Sequence, residues 1–306
     1  MTLSEDVRNE LAAIEPTSEC DRLAELSALF HSAGRVHLLG RGRVAVHLDL
    51  GSSSAARRAF SLLRALDVDS EIRTYVQRAF DRPTRYQLHV AGEPRAVDVL
   101  QRAGVLDQRC APLERPPRSV VSRPCCRAAY LRGALLGGGS LTGPPARHLE
   151  IRSSGPDGAR FLARLASSVD APLAVVDRGR HAVAYAKGSE AIASVLAAAG
   201  ASGVVLGLEE RAVIGATRAG ANRLANADHA NLVRAGAAAH RQLRAIRVLG
   251  ERGVLGDLPR PLREAAELRA RHPSLSLREL AARAKPPLTK AALHRRLARL
   301  VRLAEM

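Results

Sequence analysis

Apolar residues in the first two hundred positions alternate between helical and strand spacing, and the same order of elements occurs twice. In the first copy, strand alternation is clearest at Val44, Val46 and Leu48. Turns between strands are expected at Gly40-Arg41-Gly42 and at Asp81-Arg82-Pro83-Thr84. The first copy is therefore predicted to contain helices at 18–34, 54–66 and 94–104, and strands at 35–39, 43–50, 71–80 and 85–92.

The second copy repeats this order after a connector rich in proline and arginine. VLQRAG at 99–104 and VLAAAG at 195–200 each end their copy with a glycine at a helix C-cap. Each copy thus has the order αββαββα, which predicts an α+β fold with helices on one face of an antiparallel sheet. The second copy is predicted to contain helices at 127–139, 157–169 and 189–200, strands within 140–154, and a hairpin at 172–188 around Arg178-Gly179-Arg180.

From about Leu206 onward the pattern is helical. The polar segment NADHAN is expected to interrupt this helical region, with Asn222, Asn226 and Asn231 capping the broken ends. Three further helices are predicted at 261–271, 276–284 and 289–304. The predicted domains are a lead-in helix at 1–17, a first repeat at 18–104, a connector at 105–124, a second repeat at 125–205, a helical linker at 206–256 and an all-α helix-turn-helix domain at 257–306.

The last two predicted helices have the pattern of a helix-turn-helix. Ser276 and Glu279 form a capping box, KPPL breaks the helix, and Thr289 caps the next helix. That last helix carries five cations and no acid between Thr289 and Arg302. A recognition helix needs such a basic face opposite an apolar one. The alternative is a helical hairpin whose basic face contacts only solvent.

Candidate DNA-contacting residues follow from their positions in these two helices. Residues in the first half of a recognition helix usually reach base edges, and later ones meet phosphates. Arg296 lies beside the apolar stripe and is assigned either to DNA backbone or to the fold. The candidates are Ser276 and Arg278 on the first helix, Thr289, Lys290, His294 and Arg295 near the bases, and Arg296, Arg299 and Arg302 near the backbone.

Charge and composition limit the classes of binding partner. The net charge is +17 and the isoelectric point is near 11.2, which favours a polyanion such as DNA. Aromatic residues make up only 3%, which disfavours single-stranded nucleic acid because its sites usually offer stacking platforms. No apolar run is long enough to span a membrane, and the acidic N-terminus lacks a signal peptide's apolar core. A cytoplasmic, nucleoid-associated protein is expected.

No cofactor or metal is expected from the spacing of the ligating residues. The four cysteines, Cys20, Cys110, Cys125 and Cys126, lack CxxC spacing, and the histidines form no HExxH pattern. Buried or incidental thiols are therefore predicted.

The glycine-rich stretch LRGALLGGGSL, 131–141, matches neither a P-loop nor a GxGxxG motif. It follows a helix, whereas phosphate-binding loops precede one. Its glycines are predicted to let two helices approach closely and then to end a helix.

LRGALLGGG and its counterpart LSALFHSAG, 26–34, together resemble the nine-residue motif of LAGLIDADG homing endonucleases. That family packs two such helices side by side, and each motif supplies an acid that holds a divalent metal over DNA. The resemblance places these acids at Ala33 and Gly138, and places the motif's other acid at His31 and Leu136. None of these side chains can bind a cation as a carboxylate does, so loss of nuclease chemistry is implied.

Nearly the whole chain resembles the WhiA regulators of Gram-positive bacteria. The resemblance rests on CDRLAELSALFHSAG, RGALLGGGSLT, ANRLANADHANL and SLRELAARAKPPLTKAALHRRLARL. It implies a non-enzymatic, sequence-specific transcription regulator of sporulation-associated cell division and chromosome segregation. It implies double-stranded promoter DNA as a partner, with a second regulator or RNA polymerase as a further candidate.

Two alternatives remain open at the level of the sequence. One is a basic adaptor that binds an acidic partner of the division machinery. The other is a metal-dependent nuclease with relocated acids, for which the candidate carboxylates are Glu25, Asp49 and Glu150.

Overall fold

The computed structural model describes residues 2–40, 43–77, 84–143 and 147–306. These residues form two compact units, 1–211 and 212–306. Residues Arg41 and Gly42 of the first predicted turn, and Asp81 to Pro83 of the second, lie outside the described residues.

The first repeat has the predicted order of elements. Its strands form an antiparallel sheet in the order β1-β2-β4-β3, in which Val36 pairs with Val46 and Leu48 pairs with Leu88. Alternate residues of β2, Val44, Val46 and Leu48, are buried against the helices. Its elements are α2 (Glu19–Ala33), β1 (Gly34–Gly40), β2 (Arg43–Leu50), α3 (Ser53–Arg64), β3 (Glu71–Val76), β4 (Thr84–Val90) and α4 (Pro94–Arg102), preceded by α1 (Leu3–Ala13).

The second repeat has the same topology, with strand order β5-β6-β8-β7. Gly104 and Gly200 follow the last helix of their repeats with φ of 66° and 101°, the left-handed conformation that favours glycine at this position. The predicted duplication is therefore confirmed. Its elements are α5 (Pro124–Gly138), β5 (Gly139–Thr142), β6 (His148–Ser153), α6 (Pro156–Ser167), β7 (Ala174–Asp177), β8 (Ala182–Lys187) and α7 (Ser189–Ala199).

Helices α2 and α5 pack directly against each other in the core of this unit, as predicted for the glycine-rich stretch. A Cβ atom on Gly133 would lie only 2.2 Å from the carbonyl oxygen of Glu25. The Gly133 backbone thus approaches that of α2 more closely than any other residue type allows. Leu26, Leu29, Leu131 and Leu135 are fully or almost fully buried around this contact.

The predicted break at NADHAN is wrong, because α8 runs without interruption from Ser202 to Glu251. Asn231 lies within the helix and accepts a hydrogen bond from Arg234 at 2.8 Å instead of capping a helix end. Asparagine and aspartate cost less than about 0.7 kcal/mol each in a helix, and the alanines between them favour it. A polar run without glycine or proline is therefore insufficient to end a helix.

The C-terminal helices are α9 (Arg260–Arg271), α10 (Leu277–Arg283) and α11 (Lys290–Glu305), close to the predicted ranges. Leu280 of α10 and Leu293, Leu297 and Leu300 of α11 are buried in one cluster that also contains Ala265 and Ala266 of α9. The cluster holds the three helices together as a small all-α core.

Candidate nucleic-acid interface

Local sequence determines where the two helices of the helix-turn-helix begin. The Ser276 hydroxyl accepts from the Glu279 amide, and the Glu279 carboxylate accepts from the Ser276 amide at 2.8 Å. The Thr289 hydroxyl accepts from the Ala292 amide at 3.2 Å. Between the helices, the Leu288 amide donates to the Ala281 carbonyl at 2.9 Å, which closes the turn. The turn therefore holds the start of α11 next to α10.

Helix α11 buries one face and exposes a basic one. Leu293, Leu297 and Leu300 share the buried face. No salt bridge neutralises the predicted cations of α11 among the residues that the structure describes. Free guanidinium and ammonium groups on one helix face are the groups that contact phosphates and base edges. The exposed side chains are Lys290, His294, Arg295, Arg299 and Arg302.

The other predicted site residues differ in position. Arg278 is exposed on α10, whereas Arg296 is only partly exposed and lines a cavity beside α9 with Glu264 and Glu267. Ser276 and Thr289 are exposed, and both accept a capping hydrogen bond. Each hydroxyl keeps a hydrogen that it can donate to a phosphate.

In the first unit, Ala33 and Gly138 lie together in a cleft of about 540 Å³ between the two repeats. Basic side chains outnumber acidic ones around this cleft. Asp49 is the one acid among the described lining residues, and it is paired with Arg85. The environment therefore favours an anion, whereas a nuclease centre of this type must hold cations. The basic lining residues are Arg8, Arg35, Arg85, Arg152, Arg180 and His181.

The motif's other acid position also has a structural role in the first repeat. His31 is buried, with Nδ1 2.7 Å from the carbonyl oxygen of Ser27 and Nε2 3.1 Å from that of Leu113. Burial lowers the pKa of His31, and the two carbonyls oppose this only in part. A neutral imidazole donates to one of the two carbonyls. His31 thus ties α2 to the connector, and Leu136 is buried in the core.

The carboxylates considered as relocated catalytic acids are all engaged by arginine. Glu25 is fully buried, and its two oxygens lie 2.7 and 2.8 Å from two guanidinium nitrogens. Burial favours the neutral form of Glu150, but hydrogen bonds from its partners lower its pKa. A carboxylate paired in this way has little capacity left for a metal. The partners are Arg58 and Arg132 for Glu25, Arg85 and Tyr75 for Asp49, and Arg178 and His148 for Glu150.

The sheet of the first repeat carries histidines on the side opposite its helices. His37 Nε2 lies 2.7 Å from His47 Nδ1, and the rings of His47 and His89 are 5.7 Å apart. Burial, followed by the charges of these two neighbours, lowers the pKa of His47. Both basic and acidic side chains share this face by strand register; they are Arg35, Arg73, Asp49 and Glu71.

Comparison with known proteins identifies both parts of the chain. The WhiA N-terminal LAGLIDADG-like domain matches residues 19–106, the WhiA LAGLIDADG-like domain matches 127–218, and the WhiA C-terminal HTH domain matches 221–304. A relative from Heliobacterium modesticaldum, named probable cell division protein WhiA, is 36% identical over 307 residues, covering 100% of this chain and 96% of the relative. The chain belongs to the WhiA family.

Other members and a solved structure support the assignment. A second protein named probable cell division protein WhiA, from Salinispora arenicola, is 35% identical over 100% of this chain and 93% of its own length. The crystal structure of full-length DUF199/WhiA from Thermotoga maritima has a TM-score of 0.57 at 25% identity, covering 100% of this chain and 98% of that one. The family resemblance and the fold class predicted from the sequence are confirmed.

Within the residues that the structure describes, no helix combines the length and the apolar character that crossing a membrane requires.

One cluster of possible metal ligands in the structure is not predicted from the sequence. Cys20, Asp21, Cys125 and Cys126 lie together at the first turns of α2 and α5. The Ser18 hydroxyl lowers the pKa of Cys20, whereas burial, followed by the hydrogen bonds with Cys20 and Cys125, raises the pKa of Cys126 to about 12. Spacing gave no indication of the cluster because its residues come from the two different repeats. The duplication was the available signal, since it places the starts of the two motif helices side by side.

Proposed function

We propose that this WhiA-family protein is a transcription regulator that binds specific sites in double-stranded DNA through α11. The observation that carries the proposal is the exposed face of α11, on which Lys290, Arg295, Arg299 and Arg302 form no salt bridge within the described part of the chain. Such a helix enters the major groove while its apolar face packs on the preceding helix. The proposed location is the nucleoid in the cytoplasm.

The proposed biological role is control of sporulation-associated cell division and chromosome segregation at promoters. The names of the relatives, probable cell division protein WhiA, support the cell-division part of this role. A second regulator or RNA polymerase is proposed as a partner at the promoter.

Replacing Arg295 and Arg299 with alanine is expected to weaken binding to a selected promoter duplex by about 30-fold or more, because base and phosphate contacts each contribute about 1–3 kcal/mol. The slope of log affinity against log salt concentration should become shallower by about 0.9 per lost phosphate contact. Fluorescence anisotropy on a duplex enriched from genomic fragments by the full chain measures both quantities.

The matched control removes the same charge elsewhere. Arg218 and Arg223 are exposed on α8, so Arg218→Ala with Arg223→Ala should leave specific binding within a few-fold of the parent protein. Equal affinities and salt slopes for the two double variants would contradict the role of α11 and favour an adaptor that binds an acidic protein.

We further propose that the LAGLIDADG-like unit is a scaffold without nuclease activity. Its support is the pairing of Glu25, Asp49 and Glu150 with arginines and the absence of acids at Ala33 and Gly138. The basic cleft between the repeats is proposed to orient DNA by contacting its backbone.

Restoring the motif acids with Ala33→Asp and Gly138→Asp is expected to produce no magnesium-dependent cleavage of supercoiled plasmid. A Cβ on Gly138 would lie 2.6 Å from the carbonyl oxygen of Arg152, so a carboxylate cannot occupy this position without moving β6. The double variant should be less stable than Ala33→Asp alone. Nicking by the parent protein that EDTA abolishes would show that the unit is an active nuclease.

A further inference from the structure

The first turns of α2 and α5 bring three thiols and one carboxylate to one point. The ligand atoms of Cys20, Asp21, Cys125 and Cys126 all lie within 4.8 Å of one another. The helices are 15 residues long, so the cluster lies about 20 Å from Ala33 and Gly138 at their opposite ends. It is therefore separate from the degenerate nuclease centre.

The separations in the cluster are close to those of a tetrahedral metal site. Zinc binds sulfur at about 2.3 Å and carboxylate oxygen at about 2.1 Å, which places two ligand sulfurs about 3.8 Å apart and a sulfur and an oxygen about 3.6 Å apart. Here Cys125 Sγ lies 3.9 Å from Cys126 Sγ, and Cys20 Sγ lies 3.7 Å from Asp21 Oδ1. The remaining separations between ligand atoms are at most 4.8 Å.

Two features beside the cluster favour negatively charged sulfur and oppose the burial that raises the pKa of Cys126. Cys20 is the second residue of α2, and Cys125 and Cys126 are the second and third residues of α5. The N-terminal turn of a helix favours thiolates through its free amide groups and dipole. The Arg123 guanidinium lies 3.9 Å from Cys20 Sγ. These groups offset part of the negative charge that three thiolates and a carboxylate would retain around a divalent ion.

The cluster is also accessible to solvent, and no arginine or lysine among the described residues pairs with its carboxylate. Cys125 is exposed, and Cys20 and Asp21 are partly exposed, while Cys126 is buried. Asp21 forms no salt bridge with any residue in the described ranges. An ion can therefore reach four ligand atoms from solvent. Three of them are soft sulfurs, which bind zinc in preference to magnesium or calcium.

We propose that Cys20, Asp21, Cys125 and Cys126 bind one zinc ion, which joins the first turn of α2 to the first turn of α5. Binding replaces the thiol protons, which pass to solvent, and involves no oxidation. The ion links the two repeats of the chain at the ends of the helices that form their interface.

The test is cobalt titration of the full-length protein kept reduced with a phosphine. One Co²⁺ per chain is expected to bind and to give sulfur-to-metal charge-transfer absorption with the intense d–d bands of tetrahedral coordination. Stoichiometric zinc should displace it and bleach both. Cys20→Ser and Cys126→Ser should lose these bands, while Cys110→Ser, which changes the cysteine outside the cluster, should keep them.

Two results would overturn the proposal. One is the absence of sulfur-to-cobalt absorption in the reduced parent protein. This result counts against the proposal even if the same cysteines form a disulfide in the protein before reduction. The other is an unchanged spectrum in Cys20→Ser. Because changing buried Cys126 alone can impair folding, the exposed position supplies a second variant, and Cys125→Ser should keep the parent far-ultraviolet spectrum while losing charge-transfer intensity.

A stability measurement gives an independent readout. Free zinc at a thousandfold excess over its dissociation constant should raise the melting temperature of the parent by about 10 °C. The same concentration should leave Cys125→Ser unchanged and raise the melting temperature of Cys110→Ser as in the parent. Equal shifts for the parent and Cys125→Ser would place the zinc elsewhere and contradict the proposal.

Discussion

Replacing Glu25 with glutamine is expected to lower the free energy of unfolding of the first unit by about 3–5 kcal/mol. The carboxylate is fully buried, and Arg58 and Arg132, themselves only 5% and 8% exposed, each donate to it. One negative charge already compensates two positive ones. A neutral amide would leave both guanidinium groups buried without a counter-charge, which costs more than the loss of one ordinary hydrogen bond.

The chain itself supplies a selective probe for this measurement. It contains no tryptophan, and all four of its tyrosines lie in the first unit, so tyrosine fluorescence during urea unfolding reports on that unit alone. The control is Glu71→Gln, which breaks an exposed pair with Arg73 and should leave the transition unchanged within error. Equal midpoints for Glu25→Gln and the parent would mean that the network contributes no net stability. The tyrosines are Tyr75, Tyr86, Tyr130 and Tyr185.

The second large effect is expected at Gly133. Gly133→Ala should lower the stability of the same unit by about 2–3 kcal/mol, even though alanine favours a helix over glycine by about 1 kcal/mol. The added methyl would lie 2.2 Å from the Glu25 carbonyl oxygen and 3.0 Å from the Ala28 Cβ, so α2 and α5 must separate. Tyrosine-detected urea unfolding measures the change.

Gly207 in α8 is the matched control for this substitution. It lies in the same unit, and a Cβ there would meet nothing within 4 Å. Gly207→Ala should therefore stabilise the unit by up to about 1 kcal/mol. A Gly133→Ala protein as stable as Gly207→Ala would show that the two helices can separate without loss.

The sequence predicted the elements of the fold because their signals are local. Alternation at Val44, Val46 and Leu48 depends only on neighbours in the chain, and so do the glycine C-caps at Gly104 and Gly200. The prediction of a helix break at NADHAN also relied on a local signal, and it was wrong. A local polar run suggested a break, whereas the low helix cost of its residues and the flanking alanines keep α8 continuous.

A functional site can be predicted from this sequence only where all of its residues lie on one helix. The basic face of α11 could be read from the sequence, since helical periodicity places its cations opposite Leu293 and Leu297. The Glu25 network and the cysteine cluster could not, because each joins residues from distant segments. The sequence leaves Glu25 open as a relocated catalytic acid, and only the structure shows its two arginine partners.

The Glu25 network also makes the two repeats unequal. Aligning Leu26 with Leu131 places Tyr130 at the position equivalent to Glu25, and Tyr130 is a buried aromatic packed edge-on against Phe161. Two copies of the second repeat, paired as α2 and α5 are paired, would bury two Arg132 side chains with no acid between them. A second repeat is therefore matched to a first repeat and not to another second repeat. The match is the same within one chain and between two chains that exchange their second repeats, because Glu25 then still lies between Arg58 and Arg132.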